Sequence, residues 1–122
     1  LAEPGGRRVV PGWLPWAAVA AVAVHLLALY WPGSPDGSLE LPWLPGLDKL
    51  VHLVLFASVV YLLGRWTGRV ALVATLFAAH AVVSELVQWR FVPYRDGDVL
   101  DALADLLGIA LAVWALRRRK AG

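Results

Sequence analysis

Asp48, Lys49 and His52 open one apolar run, Glu85 and Gln88 close another, and Asp98, Asp101 and Asp105 enter a third. On a helix, Asp48 and His52 at a spacing of four, and Lys49 and His52 at three, share a face. Asp98, Asp101 and Asp105 recur at helical spacing and continue into Gly108 and Ala112 as one stripe. An imidazole among carboxylates suits general acid–base work, with His52 as acid or base and Glu85 and Asp101 positioning or activating water. The same groups suit binding. Lys49, His52 and Arg95 match phosphate or carboxylate, Asp98 and Asp101 accept from amines or hydroxyls, and Gln88 offers an amide. Asp48 and Glu85 would orient the cations, and Asp105 would complete the inner wall. Glu85, Asp98, Asp101 and Asp105 are also hard oxygen ligands of the kind Mg²⁺ or Ca²⁺ takes. Asp96-Gly97-Asp98 lacks the full EF-hand spacing, however, and neither a metal nor a cofactor is expected.

Each of these residues also has an ordinary reading. Asp48 fits a helix N-terminus with Lys49 snorkelling to headgroups, and Asp98 fits an N-cap. Asp101 and Asp105 are harder to dismiss, because an Asp at the centre of a spanning helix costs roughly 3 kcal/mol. They call for partners, and Lys49, His52, Arg90 and Arg95 are the cations at hand. A buried ion-pair network fixing helix register is the structural alternative. His80, with Ser84 and Gln88 further along its run, reads as an interhelical hydrogen-bonding group, and His25 has no polar neighbours in sequence.

The elements that must position these groups are four apolar runs: Trp13 to Trp31, Leu47 to Arg65, Val70 to Trp89 and Val99 to Leu116. Each approaches the ~20 residues that a helix needs to cross ~30 Å of hydrocarbon. With 60% hydrophobic residues in 122, the chain predicts one all-α membrane domain over residues 1–122, four transmembrane helices in an up-down bundle. Arg7 and Arg8 before the first run resemble a signal-peptide n-region. The run is nevertheless long, flanked by Trp13, Trp16, Tyr30 and Trp31, and followed by a turn-rich loop, which predicts a retained helix. Ala78, Ala79, Ala81, Gly108 and Ala112 allow close helix approach, and the short turn from Arg65 to Arg69 makes spans two and three antiparallel neighbours.

Basic residues set the expected orientation. Arg7 and Arg8, Arg65 and Arg69, and Arg117 to Lys120 fall on one side of a four-span chain, which places both termini in the cytoplasm. The loops holding Asp36, Glu40, Arg90, Arg95, Asp96 and Asp98 then face outward, so the polar groups of three helices meet in the outer leaflet. The terminal basic run reads as a topological anchor in contact with anionic lipid. A net charge of +2 argues against nucleic acid, and the lack of Cys excludes disulfides and thiol chemistry. Abundant Ala, Leu, Val and Arg without Asn or Met fits a GC-rich bacterial source or a redesigned sequence.

Over roughly residues 47 to 112 the chain resembles the VanZ-like family of small bacterial membrane proteins. Asp48-Lys49-Leu50-Val51-His52, followed by Phe56, is similar to that family's Asp-Lys-x-x-His motif. Glu85-Leu86-Val87-Gln88 and then Pro93-Tyr94-Arg95 match its Glu-x-x-Gln motif and Pro-x-Arg turn. Asp101, Asp105, Gly108 and Ala112 follow its Asp-x-x-x-Asn-x-x-Gly-x-x-x-Gly stripe, with Asp105 standing for Asn and Ala112 for the last Gly. The resemblance implies a multi-pass protein of the bacterial cytoplasmic membrane, in a family linked to teicoplanin resistance. It implies a shared polar site without naming a reaction.

The expected function is an envelope protein whose outward site, formed by Asp48, Lys49, His52, Glu85, Gln88, Arg95, Asp98, Asp101 and Asp105, binds an amphiphilic or lipid-linked headgroup. Expected partners are membrane lipids and a lipid-linked precursor or lipoglycopeptide, with the oligomeric state open. The alternative is a membrane-embedded enzyme acting on a lipid-linked envelope substrate by acid/base or metal-assisted chemistry. A third reading is ion-coupled transport with His80 and Asp105 as relay groups.

Overall fold

The computed structural model describes residues 8–32, 46–93 and 98–121, and these form four helices: α1 Leu14–Tyr30, α2 Leu47–Thr67, α3 Val70–Phe91 and α4 Val99–Ala121. Three of them, α2, α3 and α4, are long and apolar enough to cross a membrane. The expected first span is shorter than its flanking tryptophans implied. α1 has 17 residues, about 26 Å at 1.5 Å per residue, because Pro11 and Gly12 precede it and Trp31 turns to extended backbone. The other three helices run past their expected ends, by two residues for α2 and α3 and by five for α4 (Thr67, Phe91 and Ala121 against Arg65, Trp89 and Leu116).

α2 stops where Gly68 adopts φ 73°, with its N–H bonded to the Gly64 carbonyl. A left-handed glycine after the last turn is a common helix terminator because a Cβ there is strained. Only Gly68 and Arg69 separate α2 from α3, and the two helices pack in opposite directions: Gly64 faces Val70 while His52 faces Glu85. The most intimate pairing is instead α2 with α4, which run the same way: Lys49 meets Asp98, His52 meets Asp105 and Gly64 meets Leu116.

Gly108 makes that approach feasible. A Cβ at this position would press on the Leu53 carbonyl oxygen and lie 3.1 Å from the Ala57 nitrogen, so the α2 backbone occupies the space. The stripe on α4 is buried from Asp101 through Asp105, Gly108, Ile109 and Ala112 to Leu116. Leu29, Phe56, Val59, Val60, Ala81, Ile109 and Ala112 form the apolar core beside it. Ala79, expected at a helix contact, is exposed instead.

Most of the remaining helix surface is apolar and uncovered. Leu50, Val54, Leu72, Leu76, Val82, Leu86, Leu103 and Leu107 are exposed, and only 22% of the apolar window of α3 is buried. In water such a surface would aggregate; in a bilayer it faces lipid. The hydroxyls within the helices are satisfied locally, Ser58 by Val54 O at 2.7 Å, Thr75 by Ala71 O at 2.8 Å and Ser84 by Ala81 O at 3.1 Å.

Candidate functional site

Two layers of charge lie between α2, α3 and α4. In the outer layer the Lys49 ammonium is 2.6 Å from Asp48 Oδ2, 2.8 Å from Asp98 Oδ2 and 3.0 Å from Asp101 Oδ1. The first two are charge-assisted hydrogen bonds; the third is an ion pair outside hydrogen-bond geometry. Asp98 also caps α4 by accepting the Leu100 N–H at 2.8 Å, and its own backbone N–H donates to Glu85 Oε2 at 2.9 Å. The Lys49 ammonium, followed by the Leu100 amide, holds the Asp98 carboxyl below its ordinary value.

The inner layer centres on His52. Its Nδ1 donates to Asp105 Oδ1 at 2.7 Å, while Glu85 Oε1 stands 3.8 Å from the same nitrogen and Asp101 Oδ2 3.6 Å from Nε2. Both ring nitrogens therefore face carboxylates, and His52, Glu85, Asp101 and Asp105 are all buried, Asp105 completely. Buried charges like these are held by partners or they are costly. Glu85 Oε1, Asp101 Oδ1 and Asp105 Oδ2 are nevertheless buried without a hydrogen-bond partner among the described residues.

The expected site residues thus divide. Asp48, Lys49, His52, Glu85, Asp98, Asp101 and Asp105 come together. Gln88 is buried, but its amide donates to Leu29 O at 2.6 Å and ties α3 to α1. Lys49, expected to receive an anionic group, is already shared by three carboxylates. Arg90 is exposed and stacks on Phe91 at 5.6 Å, away from the cluster. Arg95 and the Asp96-Gly97 part of the loop, like Asp36 and Glu40, lie outside the described residues.

A second polar array joins His80, expected to make an interhelical hydrogen bond, to His25 and Tyr30, which the sequence did not single out as its partners. His25, fully buried, places Nδ1 3.3 Å from Leu55 O and Nε2 3.3 Å from His80 Nδ1, while His80 Nε2 is 2.7 Å from the Tyr30 hydroxyl. The Leu55 carbonyl only accepts, so with neutral rings the order is forced: Tyr30 donates to His80, His80 to His25 and His25 to Leu55. Phe56 and Phe77 pack edge-on against His25 at 4.5 and 5.3 Å. A crevice of about 140 Å³ between α1 and α3 borders both histidines.

The opposite end of the bundle is basic. The Arg8 guanidinium donates to the Arg65 carbonyl, and Arg8, Arg65, Arg119 and Lys120 surround a cavity of about 210 Å³. Among the described residues the carboxylates thus gather at one end of the helices and most of the guanidinium groups at the other, with Arg90 the exception at the carboxylate end. Comparison of the chain with protein-family models, curated proteins and solved structures finds no match.

Proposed function

We propose that this membrane protein binds the polar head of an amphiphile at the carboxylate-rich end of its bundle. The carrying observation is the Lys49 ammonium bridging α2 and α4 through Asp48, Asp98 and Asp101, with Asp48 59% and Asp98 39% exposed above a buried second layer. An amine or hydroxyl donor entering at this rim meets carboxylate oxygens, while its apolar tail stays among lipid-facing side chains. Because carboxylates outnumber bases here, an amine-bearing headgroup fits better than a bare phosphate. The positive-inside rule puts the basic end, with both termini, in the cytoplasm and this rim on the outer face of a bacterial cytoplasmic membrane. Motif order alone supports the VanZ-like kinship and, through it, a lipoglycopeptide such as teicoplanin or a lipid-linked wall precursor as ligand.

The test is binding of one glycopeptide in acylated and tail-free forms to the protein in nanodiscs. The acylated form should bind more tightly, and Asp98→Ala should weaken it; equal binding of the two forms would refute the proposal. One observation favours the enzymatic alternative: His52, held by carboxylates at both nitrogens, is oriented as a general acid–base group would be. Headgroup release from a lipid-linked substrate, lost in His52→Gln, is the outcome that this alternative requires.

A further inference from the structure

We infer that His52, Glu85 and Asp105 hold a divalent first-row transition-metal ion, Mn²⁺ or Zn²⁺. One ligand atom from each lies within 4.8 Å of the others, and the three residues come from α2, α3 and α4 and are all buried. The outer layer illustrates the principle. Asp48, Asp98 and Asp101 form an equally close trio, and the cation serving it is the Lys49 ammonium. The inner trio has no lysine or arginine among the described residues, and its one basic group is the His52 imidazole itself. Glu85 Oε1 and Asp105 Oδ2 remain without a donor, although their residues are more than nine-tenths buried and contribute to the same trio.

Charge points the same way. Five carboxylates, Asp48, Glu85, Asp98, Asp101 and Asp105, converge on one lysine and one imidazole. With the imidazole neutral, a divalent ion offsets about half of that excess. The mixed donor set narrows the metal: imidazole nitrogen suits Zn²⁺ or Fe²⁺ better than Mg²⁺ or Ca²⁺, the two carboxylates suit Mn²⁺, and the absence of sulfur ligands in the trio disfavours Cu(I). With ligand bonds of ~2.0–2.2 Å the 3.8 Å gap from His52 to Glu85 closes slightly and the 2.7 Å contact from His52 to Asp105 opens. The ion takes the place of the proton that His52 Nδ1 shares with Asp105: an imidazolium releases it to bulk water, a neutral ring carries it on Nε2, and either way the ligand is a neutral imidazole. Three protein ligands leave a coordination position that an entering hydroxyl or carboxylate could fill.

The experiment uses the full chain in dodecylmaltoside, stripped by chelator and titrated with MnCl₂ while electron paramagnetic resonance reads free and bound ion. The expected result is one Mn²⁺ per chain, with pulsed spectra carrying the nitrogen coupling of a single imidazole, and displacement by Zn²⁺. Glu85→Gln and Asp105→Asn should each weaken binding at least tenfold, and Ser58→Ala, on an exposed hydroxyl away from the trio, should not change it. No stoichiometric Mn²⁺, bound Mn²⁺ without nitrogen coupling, or unchanged affinity in either folded acid variant would overturn the inference. The wild-type spectra decide the matter even if a variant fails to fold. No glycopeptide or lipid-linked ligand is present, so failure here leaves headgroup binding untouched, and the glycopeptide assay leaves metal binding untouched.

Discussion

Replacing Gly108 by alanine should destabilise the bundle, although alanine is the better helix former. Helix propensity alone favours Gly→Ala by about 1 kcal/mol. Against that, the new Cβ lies 3.1 Å from both the Ala57 nitrogen and the Leu53 carbonyl carbon, and closer still to the Leu53 oxygen. These are backbone atoms of α2 and cannot rotate away. Restoring an ordinary C···O contact of ~3.3–3.6 Å means opening the α2–α4 seam by roughly 1 Å. Overpacking of this kind costs typically 1–3 kcal/mol, and the opened seam also stretches the His52–Asp105 bond one turn away. Overpacking less propensity leaves a loss of about 0–2 kcal/mol, and weakening the buried His52–Asp105 bond adds about 1 kcal/mol to it. Gly64→Ala is the matched control, since the one tight contact of its Cβ would be the Leu116 Cδ1 at 2.8 Å, the end of a flexible side chain, with Val70 at ordinary contact distance. Gly12→Ala meets nothing within 4 Å. Denaturant unfolding in mixed micelles, followed by circular dichroism, should rank Gly108→Ala least stable. A Gly108→Ala protein as stable as the parent would refute the close approach of α2 and α4.

Three further outcomes follow from the geometry. The Asp98 carboxyl is held below its ordinary value, so its interactions stabilise the fold above the ordinary carboxylate range and fade as pH falls through the depressed value. In chelator-containing buffer the stability difference between the parent and Asp98→Asn should therefore be constant near neutrality and shrink on acidification; a gap that widens in acid would contradict the Lys49 pairing. Tyr30→Phe removes the donor to His80 Nε2 and should cost about 1 kcal/mol in the same unfolding assay, whereas a neutral result would mean that the Tyr30–His80–His25 chain does not form. The chain has no Cys, so single cysteines report sidedness cleanly. In intact cells an impermeant maleimide should label Val92→Cys and spare Thr67→Cys, and the reverse pattern would invert the assigned topology.

The charged cluster was legible because carboxylates inside apolar runs are costly, and the spacing of Asp98, Asp101, Asp105 and Gly108 fixes which face of α4 they occupy. Helices α2 to α4 were legible for the same reason, as apolar runs bounded by Gly and Arg. Their pairing was not. A short α2–α3 turn announces neighbours along the chain, whereas the tighter α2–α4 seam depends on Gly108 meeting the backbone of Leu53 and Ala57 with all of α3 between them in sequence. His25 was invisible because its partners, His80 and the Leu55 carbonyl, sit on other helices. Gln88 misled through proximity to Glu85: three residues on, its side chain points round the helix to α1 rather than into the acid cluster.

The account rests on His52 and Asp105 meeting inside the bundle, and a double-mutant cycle tests this most directly. Unfolding free energies of the parent, His52→Ala, Asp105→Ala and the double variant, measured without metal, should give a coupling of at least ~1 kcal/mol, because either single change leaves a buried partner unpaired. Effects that simply add, to within ~0.5 kcal/mol, would contradict it.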